Sequence, residues 1–164
     1  MTLAKSLAVS VCMLLGLLVP SAASSEPDPL SPEGYWKTID DDGKTATSVM
    51  QLWFYQGKLH GRIVKLYLKQ GDDSDPACEK CSGANKDKKI LGMQILFNLS
   101  KDDDEWSGGS ILDPESGNSY KCYVQVQQGG KQLKVRGYVG ISLLGRTQYW
   151  SRTKKPSEKV EFTR

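Results

Sequence analysis

The chain has 164 residues, 25% of them charged, with 22 basic and 19 acidic side chains and a formal charge of +3. That length carries one domain with its own core. The charge is too small and too scattered for a nucleic-acid-binding face, which needs clustered cations, so no nucleic-acid partner is expected.

Lys5 precedes an apolar run from Leu7 to Val19, broken by Ser10 and Gly16 and followed by Pro20-Ser21-Ala22-Ala23. A basic start, a short apolar stretch and small residues at a cut site describe a secretory signal peptide over residues 1–23. The run is shorter than the roughly 20 residues that a membrane span requires, so no span is expected after processing. Taking Lys5 from the 22 basic residues leaves 21 against 19 acids, a balance of +2. Periplasmic or secreted residence is the expectation, and its protein partners are not legible. Residues 24–33, rich in serine and proline, read as a flexible leader.

Tyr35–Ile39 is a first short strand, ended by Asp40-Asp41-Asp42-Gly43. Ser48–Tyr55 and Leu59–Leu68 form a hairpin around Gln56-Gly57-Lys58. Lys69–Lys89 is polar, holds Cys78 and Cys81, and reads as a long structureless loop of the kind that serves as a lid or binding loop. Strands resume at Ile90–Leu99, with Leu91, Met93, Ile95, Phe97 and Leu99 on one face. Trp106–Leu112 follows, then the turn Asp113–Asn118. Tyr120, Cys122, Val124 and Val126 alternate with polar residues, which turns Cys122 inward. Leu133–Arg152 supplies two closing strands interrupted by Gly137, Gly140 and Gly145, and residues 154–164 read as a polar tail. Eight or nine consecutive strands predict an all-β sandwich or barrel; a small antiparallel up-and-down barrel over residues 34–153 is the expectation, since closure removes the exposed edges that a single sheet would leave.

Cys78 and Cys81 are read as a disulfide, because an exported chain meets oxidising conditions; pairing of either with Cys122 is the alternative. No metal site is assigned, since Cys78, Cys81, Cys122 and the lone His60 form no second ligand pair. No nucleophile motif accompanies His60, so neither enzymatic activity nor a cofactor is expected. Arg146 and Gln148 share strand parity with Leu144 and Trp150. If that face turns inward they are the polar ligand-binding pair of the barrel; if Thr147 and Tyr149 turn inward they are surface residues.

GYWKT, KLHGRIVKL, CEKCSG, ILDPESGNSYKC and LKVRGYVGISLLGRTQYWSR occur in that order between Gly34 and Arg152. Together they resemble the exported bacterial proteins grouped as domain of unknown function 2147, whose fold is similar to the lipocalin-like (calycin) barrels. The resemblance implies that Gly34, Trp36 and Arg152 close the barrel base, with the guanidinium of Arg152 on the indole of Trp36. Taken with the strand arginines and the long cysteine-bearing loop, the calycin resemblance leads to the expectation of a non-enzymatic barrel binding a small apolar or amphipathic ligand; the alternative is an envelope interaction module with a filled, ligand-free barrel. Processing after Ala23 predicts that N-terminal sequencing of the mature protein begins at Ser24; a membrane-retained chain that still carries Met1 would refute it.

Overall fold

The computed structural model describes residues 28–163; the signal peptide expected over 1–23 lies outside them. Nine strands follow one another: β1 (Gly34–Ile39), β2 (Ala46–Tyr55), β3 (Lys58–Lys69), β4 (Gln94–Asp102), β5 (Glu105–Leu112), β6 (Ser119–Gln127), β7 (Gln132–Tyr138), β8 (Gly145–Thr153) and β9 (Val160–Thr163). Each of β1 to β8 pairs antiparallel with its neighbours in sequence, and β8 returns to pair with β1. The result is a closed eight-stranded antiparallel barrel, which leaves no free edge along the ring. The loops alternate between two ends. Residues 40–45, 70–93, 113–118 and 139–144 lie at one end, and 56–57, 103–104 and 128–131 at the other.

Local chemistry explains the hairpins. Gln56 (φ 49°) and Gly57 (φ 73°) both occupy the left-handed region, which a two-residue turn needs to match the twist of its flanking strands. In the β2–β3 pair, Met50 and Leu52 turn inward and are buried, while Phe54 lies exposed at the strand end. Inward alternation on β6 and β7 buries Cys122, Val124, Leu133 and Val135. Trp36, Leu59, Leu96, Leu99, Trp106 and Trp150 complete the packing toward the end that holds 128–131. An eight-stranded barrel is just wide enough for side chains to fill or for one small ligand to enter. This one divides the two possibilities along its axis, with side chains filling the base.

Four expectations are corrected. The strand expected from Ile90 begins at Gln94 and does not keep one face, because Asn98 takes φ 59° and inserts an extra residue opposite β3. Ile95, Leu96 and Leu99 are therefore all buried, whereas Phe97 is only half-buried. The loop from Lys69 to Lys89 is not structureless. Cys78 N–H donates to Lys88 O (2.8 Å), Ile90 N–H to Pro76 O (2.9 Å), and Ala77 bridges Lys89. Cys78 and Cys81 are disulfide-bonded and both buried, so this polar segment folds around a small cross-linked centre. It rests on the β5–β6 turn so closely that a Cβ on Gly117 would stand 2.1 Å from Lys80 O.

The expected leader is not free over its described part. Asp28–Glu33 runs across the barrel base, where Pro32 is fully buried. The expected polar tail contains β9, which pairs in parallel with Leu66–Lys69 where β3 has parted from β4. Lys65 fixes it through Glu161 (2.5 Å) while lying over the Tyr67 ring.

Cys122 is the free thiol among the described residues and is buried. Burial pushes it from 9.0 up to about 12, since a thiolate in an apolar core is desolvated. Because the folded value is the raised one, this contribution is whole below pH 9 and is lost as pH rises toward 12. Denaturant titrations across that range should show stability falling, with less fall in Cys122→Ala. In thiol labelling of the mature protein from Ser24 onward, the native form should give no reactive group and the unfolded, unreduced form one, at Cys122.

Candidate ligand site at the open end of the barrel

The site is bounded by the way its base is closed. Trp36 on β1 and Arg152 on β8 are direct cross-strand partners. The guanidinium carbon lies 4.1 Å from the indole ring centre, within the range of a cation–π contact. The same guanidinium donates to four main-chain carbonyls: Glu33 O (2.9 Å), Ser31 O (2.6 Å), Pro29 O (3.2 Å) and Gly130 O. Trp36 Nε1–H donates to Pro32 O (2.7 Å). Burial lowers the Arg152 pKa from its ordinary value, opposed by the charge of Asp28. Gly34 is required here twice over: its φ is 115°, and a Cβ would stand 3.3 Å from the Arg152 guanidinium.

Above this plug the interior opens into a cavity of about 650 Å³ that reaches the end holding 139–144. Ile63, Leu66, Ile95, Leu112, Val135 and Trp150 make its apolar part. One wall carries hydroxyls instead. Thr38 Oγ1 lies 2.7 Å from Thr47 Oγ1 and 2.8 Å from Ser48 Oγ, and accepts from Ser48 N–H (2.9 Å). These three residues escape sequence reasoning, since Thr and Ser in a strand carry no signal until their neighbours across the pair are known.

Arg146 and Gln148 stand opposite Gly137 and Val135 on β7 and both line the cavity. Gln148 lies deeper and accepts a hydrogen bond from Trp150 Nε1–H (3.1 Å). Arg146 is at the rim, exposed and ion-paired with Asp41 of the β1–β2 turn. The end of β3 supplies Lys69 to the mouth, and the loop holding the disulfide supplies Asp72 and Pro76. His60 is elsewhere. It is buried on the outside of β3, stacked on Trp53 (5.9 Å), with Nδ1 facing the Gln94 amide (3.0 Å).

Residues 34–152 match the family model described as "Uncharacterized protein conserved in bacteria (DUF2147)". The chain belongs to this family. The match begins at Gly34 and ends at Arg152, so the DUF2147 segment starts and finishes on the two residues that meet at the base. Among solved structures, one similar to this DUF2147 chain is a Helicobacter pylori protein described as belonging to the lipocalin family. Its TM-score is 0.65 at 16% identity, covering 76% of this chain and 84% of that one. Likeness at that identity establishes a lipocalin-like barrel. No curated protein matches the sequence. Among the described residues, no helix is long and apolar enough to cross a membrane.

The base geometry predicts the effect of Arg152→Ala. Four carbonyls lose their donor and the indole loses its cation, so unfolding free energy should fall by about 2 kcal/mol or more. Arg152→Lys should recover little of this, because an ammonium lacks the planar fork. Urea denaturation of the two variants tests it; loss below about 0.5 kcal/mol in both would show the contact to be incidental.

Proposed function

We propose that this protein is an exported, non-enzymatic β-barrel that binds a small amphipathic molecule in its open half. The cavity of about 650 Å³ carries the reading. Its size falls within the roughly 300–1,000 Å³ of small-molecule sites, which combine apolar lining with a few placed polar groups. The floor of Ile63, Ile95, Val135 and Trp150 suits an acyl or other apolar body. Gln148, the hydroxyls of Thr38 and Ser48, and Arg146 at the rim suit a polar end.

The energetics support this chemistry. Burial of a methylene is worth about 0.8 kcal/mol, so roughly fifteen of them supply about 12 kcal/mol, which leaves micromolar affinity once an ordering cost of about 4 kcal/mol is subtracted. A carboxylate at the mouth would compete with Asp41 for Arg146. Since that pair is exposed, the exchange has little to overcome. An interaction module with a wholly filled barrel is the weaker reading, because side chains fill only the half of the interior next to Trp36.

Displacement of a fluorescent fatty acid from delipidated protein is the test, with Trp150 emission as a second reporter. Wild type should show saturable, micromolar binding. Val135→Phe, which occupies the cavity, should weaken it at least about tenfold, and Arg146→Ala should weaken a carboxylate more than the matching alcohol. Absence of saturable binding at every chain length would overturn the proposal.

A further inference from the structure

The hairpin joining β7 and β8, residues 139–144, is unlike the other loops at the barrel mouth. Its sequence is Val-Gly-Ile-Ser-Leu-Leu, and its four aliphatic side chains face solvent: Val139 is 66% exposed, Ile141 60%, Leu143 82% and Leu144 70%. Large apolar side chains scattered singly on a surface are ordinary, whereas four gathered at one protruding tip mark an interaction site. The tip is also built to hold this shape. Arg136 donates through Nε to Ser142 O (2.6 Å), through one terminal nitrogen to Leu143 O (3.1 Å) and through the other to Thr147 Oγ1 (2.7 Å). Val139 N–H donates to Leu144 O (3.2 Å) and Leu144 N–H to Ile141 O (3.1 Å). The carbonyls of residues 141–144, which water would otherwise satisfy, thus have donors within the protein.

We propose that this hairpin tip inserts into the interfacial layer of a lipid bilayer and docks the barrel mouth-first on a membrane surface. Three observations select a bilayer over a protein. First, the carbonyls of residues 141–144 already have donors within the protein, so four acceptors of the tip need no water, which lowers the cost of bringing it against lipid. Second, the tip is a convex projection of six residues, far below the roughly 800 Å² per partner of a stable protein interface, and its side chains bring no polar rim. Third, the supporting strands carry the sign of charge that headgroups attract. Lys121 and Arg136 flank the hairpin on β6 and β7; Arg146, at its foot, is neutralised by Asp41.

The apolar surface is continuous with the interior. Val139 and Leu144, at the two feet of the tip, also line the cavity, whereas Ile141 and Leu143 reach beyond it. Docking by the outer pair therefore leads from lipid to cavity along one apolar path. The docking itself stands independently of whether the cavity binds a ligand.

Vesicle flotation tests the inference, using phosphatidylcholine vesicles with and without phosphatidylglycerol. Wild-type protein should float with both, more strongly with the anionic lipid. Ile141→Ser/Leu143→Ser should reduce the partition coefficient by about tenfold or more, each buried aliphatic being worth close to that factor. Circular dichroism and the unreactive Cys122 thiol check that the variant is folded, and fatty-acid displacement in solution keeps any failure of ligand binding separate. Wild type that does not float, or floats as well without the two side chains, would overturn the proposal. So would a concentration-dependent dimer abolished by the same pair in protein that ignores vesicles, which would assign the tip to a second copy.

Discussion

The fold depends on one cation placed where a barrel would otherwise gape. Arg152 sits on the ring of Trp36 across the β1–β8 seam and gathers carbonyls from Pro29, Ser31, Glu33 and Gly130. A charge held in this way is not a buried ion pair, which often returns less than its desolvation takes. It remains partly hydrated while its fork replaces lost water by main-chain acceptors. The arrangement fixes the segment before β1 across the base. With that end sealed, the indole faces of Trp36 and Trp150 pack among aliphatic neighbours without a solvent path from below, and any opening must lie at the other end.

Sealing one end and opening the other gives the barrel its division of labour. Near the base, Leu52, Leu59, Leu96, Leu99 and Leu133 interdigitate, and a side chain lost there would leave a void at a cost of about 2–5 kcal/mol. Toward the mouth the inward residues become smaller or polar: Thr38, Ser48, Gly137 and Gln148 follow Trp36, Met50, Val135 and Trp150 of the same strands. The open space is thus a consequence of residue size along four strands. The cross-linked segment from Pro76 to Lys89 and the β7–β8 hairpin then shape its rim from different sides, one polar and internally tied, the other aliphatic.

Much of this was legible in the amino-acid order. Period-two alternation on β2, β6 and β7 gives direct notice of strands with one dry face, and Gln56-Gly57 marks a tight hairpin. The strand exposing Arg146 and Gln148 is different, since alternation defines two faces without saying which is inward. Only the pairing of Gln148 with Val135, and the burial of Trp150 beside it, decides that. The bulge at Asn98 was hidden because asparagine in a strand is no warning of a left-handed backbone. β9 was hidden because four residues, Val160–Thr163, carry too little pattern, and their pairing partner lies about ninety positions earlier. The 69–89 segment misled for a different reason: its order comes from backbone hydrogen bonds and one disulfide, which apolar periodicity does not report.

The seam between β1 and β8 sets the order in which the molecule can be completed. Every other neighbouring pair in the ring is joined by a loop and can form as soon as its second strand is synthesised, but Tyr35–Lys37 waits for Ser151–Thr153, more than a hundred residues later. Until then the sheet is an open ribbon with two unpaired margins, the condition in which β proteins associate with one another. A chain that stops short of Arg152 never leaves that condition. Completion of the barrel and clamping of its N-terminal segment are therefore a single late event, and a nascent copy needs shelter up to that moment.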